Sequence, residues 1–198
     1  MSTALNAALP AGNETPVVPA RILVAGVGNI FLLDDGFGPE VARRLLAERN
    51  SALEGVRVTD YGIRGMHLAY DLLDGVDALI LVDAVPASDA AASAPGSIRI
   101  LHVRPQDLPT GSGGAADPHG MDPAAMLATV RALGGELPDL YVIGCVPQDI
   151  SEGIGLSEAV QGAVPNAAAA VVALVASLVA ERMKAHGFPA RNPEQPEE

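Results

Sequence analysis

Three aspartates and a histidine stand where apolar runs give way to loops, and their side chains could share a cation. Asp34 and Asp35 are adjacent in 26-GVGNIFLLDDGFGPE-40, Asp83 closes the run 77-DALILVDAVP-86, and His119 lies in 117-DPHGMDP-123. Neighbouring carboxylates repel each other, so they call for a cation or a hydrogen-bond donor nearby. Two carboxylates and an imidazole from separate loops make a partial coordination site with open positions. That donor set suits nickel, zinc, iron or manganese, and the sequence does not choose among them. Each residue also has a plainer reading. Asp83 could simply form a turn after a strand, and a loop histidine is more often incidental than a ligand.

The glycines before Asp34 raise a second possibility, a nucleotide loop. Gly26 and Gly28 match the first two glycines of a dinucleotide fingerprint, but the third position falls on Phe31, whose ring would block close packing of helix on strand. No GK[ST] phosphate loop is present, and Lys184 is the only lysine. A third reading is a helix cap. Pro39 is suited to the first helical position, which would make Gly38 the N-cap. Asp34 and Asp35 would then lie too early for the usual capping bond, leaving one to satisfy loop amides and the other free.

Other chemistry finds less support. His67 falls on a helix, His102 in a strand, and His186 in a fraying helix end. Cys145 lies within an apolar strand between Gly144 and Val146 with no charged neighbour, as a small buried hydrophobe would. There is no GxSxG nucleophile elbow and no HExxH zinc motif. The formal net charge of -12 argues against nucleic acid and against an anionic membrane surface. A single cysteine excludes an internal disulfide and fits a reducing compartment. The opening residues do not read as a signal peptide, so the chain is expected in the cytoplasm.

The elements that must position these side chains can be read along the chain. The 198 residues suit one domain, whose core, at 49% hydrophobic and 3% aromatic residues, must be built from Ala, Val, Leu and Ile. Residues 1–20 and 187–198 read as disordered tails around a single α/β domain at 21–186. Strands are expected at 21–28, 56–62, 77–86, 97–103 and 139–147, and helices at 39–50, 65–75, 122–135 and 157–186. The last helix is expected to break or kink near Pro165. Its run 167-AAAAVVALVASLVA-180 is shorter than the ~20 residues of a membrane span and reads as core-facing. Alternating strands and helices predict a three-layer α/β/α sandwich around a mostly parallel sheet of about five strands. Ligands of such sheets bind beyond the carboxyl ends of the strands, where Asp34, Asp35, Asp83 and the loop of His119 would all emerge.

In this order, GVGNIFLLDDGFG, LILVDAV, the PHG around His119, and VIGCVPQDI with GLSEAV resemble the NiFe-hydrogenase maturation endopeptidases, over roughly Ile22 to Glu181. The resemblance implies an endopeptidase that removes the C-terminal extension of a hydrogenase large-subunit precursor after nickel insertion. It implies that Asp35, Asp83 and His119 contact nickel and carry the cleavage. The nickel would be borne by the substrate rather than held as a permanent cofactor. Asn29, Asp34 and Arg64 are expected to line the substrate cleft, with Asp34 or Asp83 as a candidate base. Many family members carry Glu at Asp35 and small residues where this chain has Tyr61, Ile63 and Arg64. The partner implied is the large-subunit precursor, and a monomer is favoured. Competing readings are a nickel-checking chaperone that binds without cutting, a general metallohydrolase, and a nucleotide-binding module.

Overall fold

The computed structural model describes residues 20–86, 94–104 and 123–185. The expected tails, Ala20 apart, lie outside the described residues, as do His186 and the loop carrying His119. The elements run β1 (Ile22–Val27), α1 (Phe37–Glu48), β2 (Arg57–Gly62), α2 (Gly65–Leu73), β3 (Ala78–Ala84), β4 (Ile98–Val103), α3 (Pro123–Ala132), β5 (Asp139–Cys145) and α4 (Glu158–Ala185). They form a five-stranded sheet in the order β2-β1-β3-β5-β4. All neighbours pair in parallel except β4, which runs antiparallel to β5 at the edge.

The apolar runs become central strands because both of their faces are covered. Alternate residues of β1, β3 and β5 divide between two cores, as the two-residue period of a strand requires. Val24, Ile80, Val82 and Ile143 face one core together with Val41 and Leu45 of α1 and Val164, Val171 and Val175 of α4. Leu23, Leu79, Leu81 and Leu140 face the other, with Leu68 and Leu72 of α2 and Leu127 and Val130 of α3. The result is the three-layer sandwich. With almost no aromatic residues to fill space, these cores rely on close interdigitation of small branched side chains.

Two local expectations are corrected. First, α1 starts at Phe37, with Gly36 as its N-cap, rather than at Pro39 after Gly38. Phe37 is fully buried and draws the first turn inward, and Pro39 still falls in that turn, where its missing N–H leaves no bond unmade. Second, α4 does not break at Pro165 and stays helical through it. Pro165 removes the bond to the carbonyl of Gln161, four residues earlier, and both residues face solvent, so water can take that carbonyl. By length and composition α4 could cross a membrane, but one face of it lies in the core, from Val160 to Val175.

The strand order places a topological switch between β1 and β3. From β1 the chain moves outward to β2, then returns across β1 to β3. The loops leaving β1 and β3 therefore diverge at their carboxyl ends, which opens a crevice there. Asp35 follows β1, and Asp83 is the penultimate residue of β3.

Candidate functional site

The glycines of the first loop allow three backbones to approach one another. A Cβ on Gly38 would stand 2.2 Å from both the Val27 and Val82 carbonyl oxygens, and one on Gly26 would stand 2.3 Å from the Gly38 oxygen. The N-terminus of α1 thus rests directly on the ends of β1 and β3. A Cβ on Gly28 would meet the Asp35 carbonyl at 1.9 Å, and Gly28 has a φ of +130°, where side chains are rarely tolerated. The GVG motif serves this close crossing, which is how the sequence can look like a nucleotide loop without its third glycine.

Between Gly28 and α1 the chain turns back on itself. The Asn29 N–H donates to Asp35 Oδ2 at 2.6 Å, and Asn29 Oδ1 accepts the Phe31 N–H at 3.0 Å. Leu33 adopts a left-handed φ of 44°, a conformation costing about 1–2 kcal/mol for a side chain of this kind. It then opens a short 3-10 turn, Leu33–Gly36. The strain is offset by contact with the β5–α4 loop: Leu33 N–H donates to the Gly153 oxygen at 3.3 Å, and Gly153 N–H to the Phe31 oxygen at 2.9 Å.

The adjacent aspartates of this turn have opposite surroundings. Asp34 is fully buried. Its Oδ2 accepts the N–H groups of Gln148 (2.8 Å) and Asp149 (3.0 Å) and the Ser157 hydroxyl (2.9 Å), while Oδ1 accepts the Ser157 N–H at 2.6 Å. Burial alone would raise its pKa, but the bonds from Ser157, Asp149 and Gln148 outweigh it and hold the carboxyl below its ordinary value. Asp34 therefore clamps the first loop to the β5–α4 loop and to the start of α4. The expectation that it lines the cleft or serves as base is corrected, since its oxygens are committed inside the protein. Ser157 is committed too, its Oγ also accepting the Val160 N–H at 3.4 Å as the cap of α4.

Asp83 is the reverse case. Its carboxyl is partly buried with no strong donor to its charged form. Burial first, and then the negative charge of Asp35, push its pKa up to about 8, against a small opposing contribution from the Ala84 N–H. Asp83 is therefore mostly protonated at neutral pH. Two carboxylates whose charges oppose each other at the switch point favour a cation, which would replace that proton. Among the described residues no cluster of three metal-binding side chains forms; the third expected ligand, His119, lies outside them.

The remaining candidates settle around this pair. Arg64, exposed at the start of α2, donates Nε to the Tyr61 oxygen at 3.0 Å and Nη2 to the Asp60 oxygen. It does not pair with Asp34, which is enclosed on the other side of the first loop. Tyr61 is buried, and its hydroxyl donates to Asp71 on α2, fixing that helix to β2. Burial, then Asp71, raise its pKa well above the usual tyrosine value. Cys145 is buried, and its thiol is pushed up to about 11 by burial and by the charge of Asp34. It is an inert thiol, as its sequence surroundings indicate. His102 stacks on Tyr141 with ring centroids 4.3 Å apart, on the β4–β5 edge, and His67 is exposed on α2. The Ser157 clamp and the left-handed Leu33 have no local signature in the sequence.

Comparison with known proteins adds a family to this geometry. The sequence model described as "Hydrogenase maturation protease" matches residues 39–174. The chain is 32% identical over 153 residues to the Hydrogenase 2 maturation protease of Escherichia coli, covering 77% of this chain and 89% of that protein. It is 31% identical over 156 residues to the hydrogenase expression/formation protein HupD of Rhodobacter capsulatus, covering 78% and 70% respectively. The solved structure of the hydrogenase maturating endopeptidase HybD from E. coli superposes with a TM-score of 0.64 at 30% identity, covering 80% of this chain and 93% of that one.

Proposed function

The chain belongs to the hydrogenase maturation protease family and is thus a peptide-bond hydrolase, and from that premise we propose that it removes the C-terminal extension of a NiFe-hydrogenase large-subunit precursor once nickel has been inserted. The nickel is carried by the precursor and is read by Asp35, Asp83 and His119. The observation that carries this reading is the carboxylate pair at the β1/β3 switch point, where burial and then the charge of Asp35 favour the protonated form of Asp83. A divalent ion arriving with the substrate relieves that repulsion, and imidazole with carboxylate is a donor set that accepts nickel. Three protein ligands leave positions for the precursor's own groups. The assignment of His119 rests on the family motif alone.

In this reading nickel holds the scissile bond at the crevice and polarises its carbonyl or the attacking water. Asp83, deprotonated beside the ion, is the carboxylate placed to take a proton from that water. Asn29 orients Asp35 through its backbone N–H, and Arg64 borders the approach from the β2–α2 loop. The work is done in the cytoplasm, by a monomer.

The test is intact-mass analysis of a large-subunit precursor from the same cell, prepared with and without nickel and incubated with the protease. Loss of a C-terminal piece from the nickel-loaded form alone is the expected result. Asp35→Asn and Asp83→Asn should each slow it by about 10²-fold or more, the scale of losing one transition-state electrostatic contact. Equal cleavage of both precursor forms, or full-rate cleavage by Asp83→Asn, would remove nickel reading by this pair. Nickel-dependent binding without any mass loss would favour a checking chaperone.

A further inference from the structure

At the crevice end of the sheet, three loops expose a rim of apolar side chains. Ile30 and Phe31 come from the β1–α1 loop, Ile63 and Met66 from the end of β2 and start of α2, and Ile150 and Ile154 from the β5–α4 loop. Ile154 is 79% exposed, Ile63 69% and Phe31 61%, although nothing in a free monomer favours such side chains in water. The three loops are joined by backbone bonds. Gly28 N–H donates to the Gly62 oxygen at 3.1 Å, Gly153 N–H to the Phe31 oxygen at 2.9 Å, and Leu32 bridges to Gly153. The patch is therefore held on a pre-formed backbone, which lowers the ordering cost of binding. Its margin carries exposed Asp60, Asp149 and Glu152, while Arg64 is engaged by backbone carbonyls. An apolar centre with a charged margin is the anatomy of a protein interface.

We propose that this rim is the docking surface for the folded body of the precursor, whose matching face is apolar at its centre and neutral or basic at its margin. This rests on the function proposed above, because a protein substrate that reaches Asp35 and Asp83 must cross these loops. Recognition then has two parts, nickel at the carboxylates and an apolar surface around them.

The test compares Ile63→Asp/Ile154→Asp with the control Leu46→Glu/Leu133→Glu, which adds as many charges at exposed apolar positions elsewhere. Steady-state cleavage of nickel-loaded precursor is followed by mass, with thermal midpoints recorded for each protein. The expected result is a KM raised about tenfold or more in the rim variant, as for lost anchor contacts. Its kcat should stay near that of the wild type and its thermal midpoint should not change, with Ile63→Leu/Ile154→Leu restoring KM and the control pair unaffected. A wild-type KM in the rim variant overturns the inference while leaving the proposed function intact. So does a wild-type dimer that the rim variant converts to monomer without change in KM, since the occupant would then be a second copy. Failure of the wild type to cleave any nickel-loaded precursor overturns the parent function, and the inference falls with it.

Discussion

Asp34 and Asp35 differ by one position and by most of their chemistry. The 3-10 turn points the first into the protein, where four hydrogen bonds end on it, and leaves the second partly exposed at the crevice. Asp34→Ala would strand those buried donors, and unsatisfied donors cost about 1–3 kcal/mol each where water cannot replace the partner. A net loss of about 3 kcal/mol is expected, seen as a fall of ~6–12 °C in thermal midpoint. Asp35→Asn should leave the midpoint within ~3 °C and still slow cleavage by about 10²-fold or more, because the Asn29 N–H that its carboxyl accepts lies in a partly exposed turn. Thermal unfolding beside a cleavage assay separates the two roles. The adjacency of the aspartates was legible as a sign that one of them mattered chemically, but which one turned inward was not. The answer lies in Ser157, 123 residues further along, and no local pattern announces a partner at that distance.

At the scale of elements, the sheet was readable because short apolar runs rich in branched residues and bounded by turn residues read as strands covered on both faces, and β1, β3 and β5 fall close to their expected positions. The start of α1 was misplaced by two residues because proline's preference for the first helical position was weighed without the burial of Phe37. That early start puts Gly38 inside the helix, against two carbonyls at the ends of β1 and β3. Alanine ordinarily gains up to about 1 kcal/mol over glycine inside a helix. At Gly38 the added methyl must push α1 off the sheet, at about 1–3 kcal/mol. Gly38→Ala should therefore destabilise the protein and, by shifting Asp35 relative to Asp83, cut cleavage by about 10²-fold, as ~1 Å displacements in active sites do. Gly162→Ala on α4 is the matched control. A Cβ there meets nothing within 4 Å, so a gain of up to about 1 kcal/mol with unchanged activity is expected. Urea unfolding of both variants checks the difference in sign.

Across the whole molecule, the buried carboxylates respond to pH in opposite ways, according to whether they have found donors. At the end away from the crevice, Asp77 accepts the Arg21 N–H at 2.8 Å and pairs with Arg21 and Arg182, tying the far end of α4 to the start of β3. Burial would raise its pKa, but Arg21 and Arg182 outweigh it and hold the pKa low. Asp77 and Asp34 thus contribute stability that is present above the ordinary carboxylate value and lost as pH falls through their lowered folded values. Asp83 does the opposite. Its carboxyl titrates near 3.8 in the unfolded chain and near 8 in the folded one. Between those values the unfolded chain has released a proton that the native protein keeps, so rising pH favours unfolding, and the contribution is gone above the folded value. The thermal midpoint should peak at about pH 4–5, decline toward pH 8 and then level off. Asp83→Asn should remove most of that decline, as pH-scanned unfolding would show. If Asp83 reads nickel as proposed, the same proton must leave first, so cleavage should rise over the interval in which stability falls. Asp83→Asn should flatten the stability profile and, together with it, slow cleavage by about 10²-fold or more. A flat stability profile with cleavage retained would mean that the raised carboxyl is a cost of burial unconnected with the reaction.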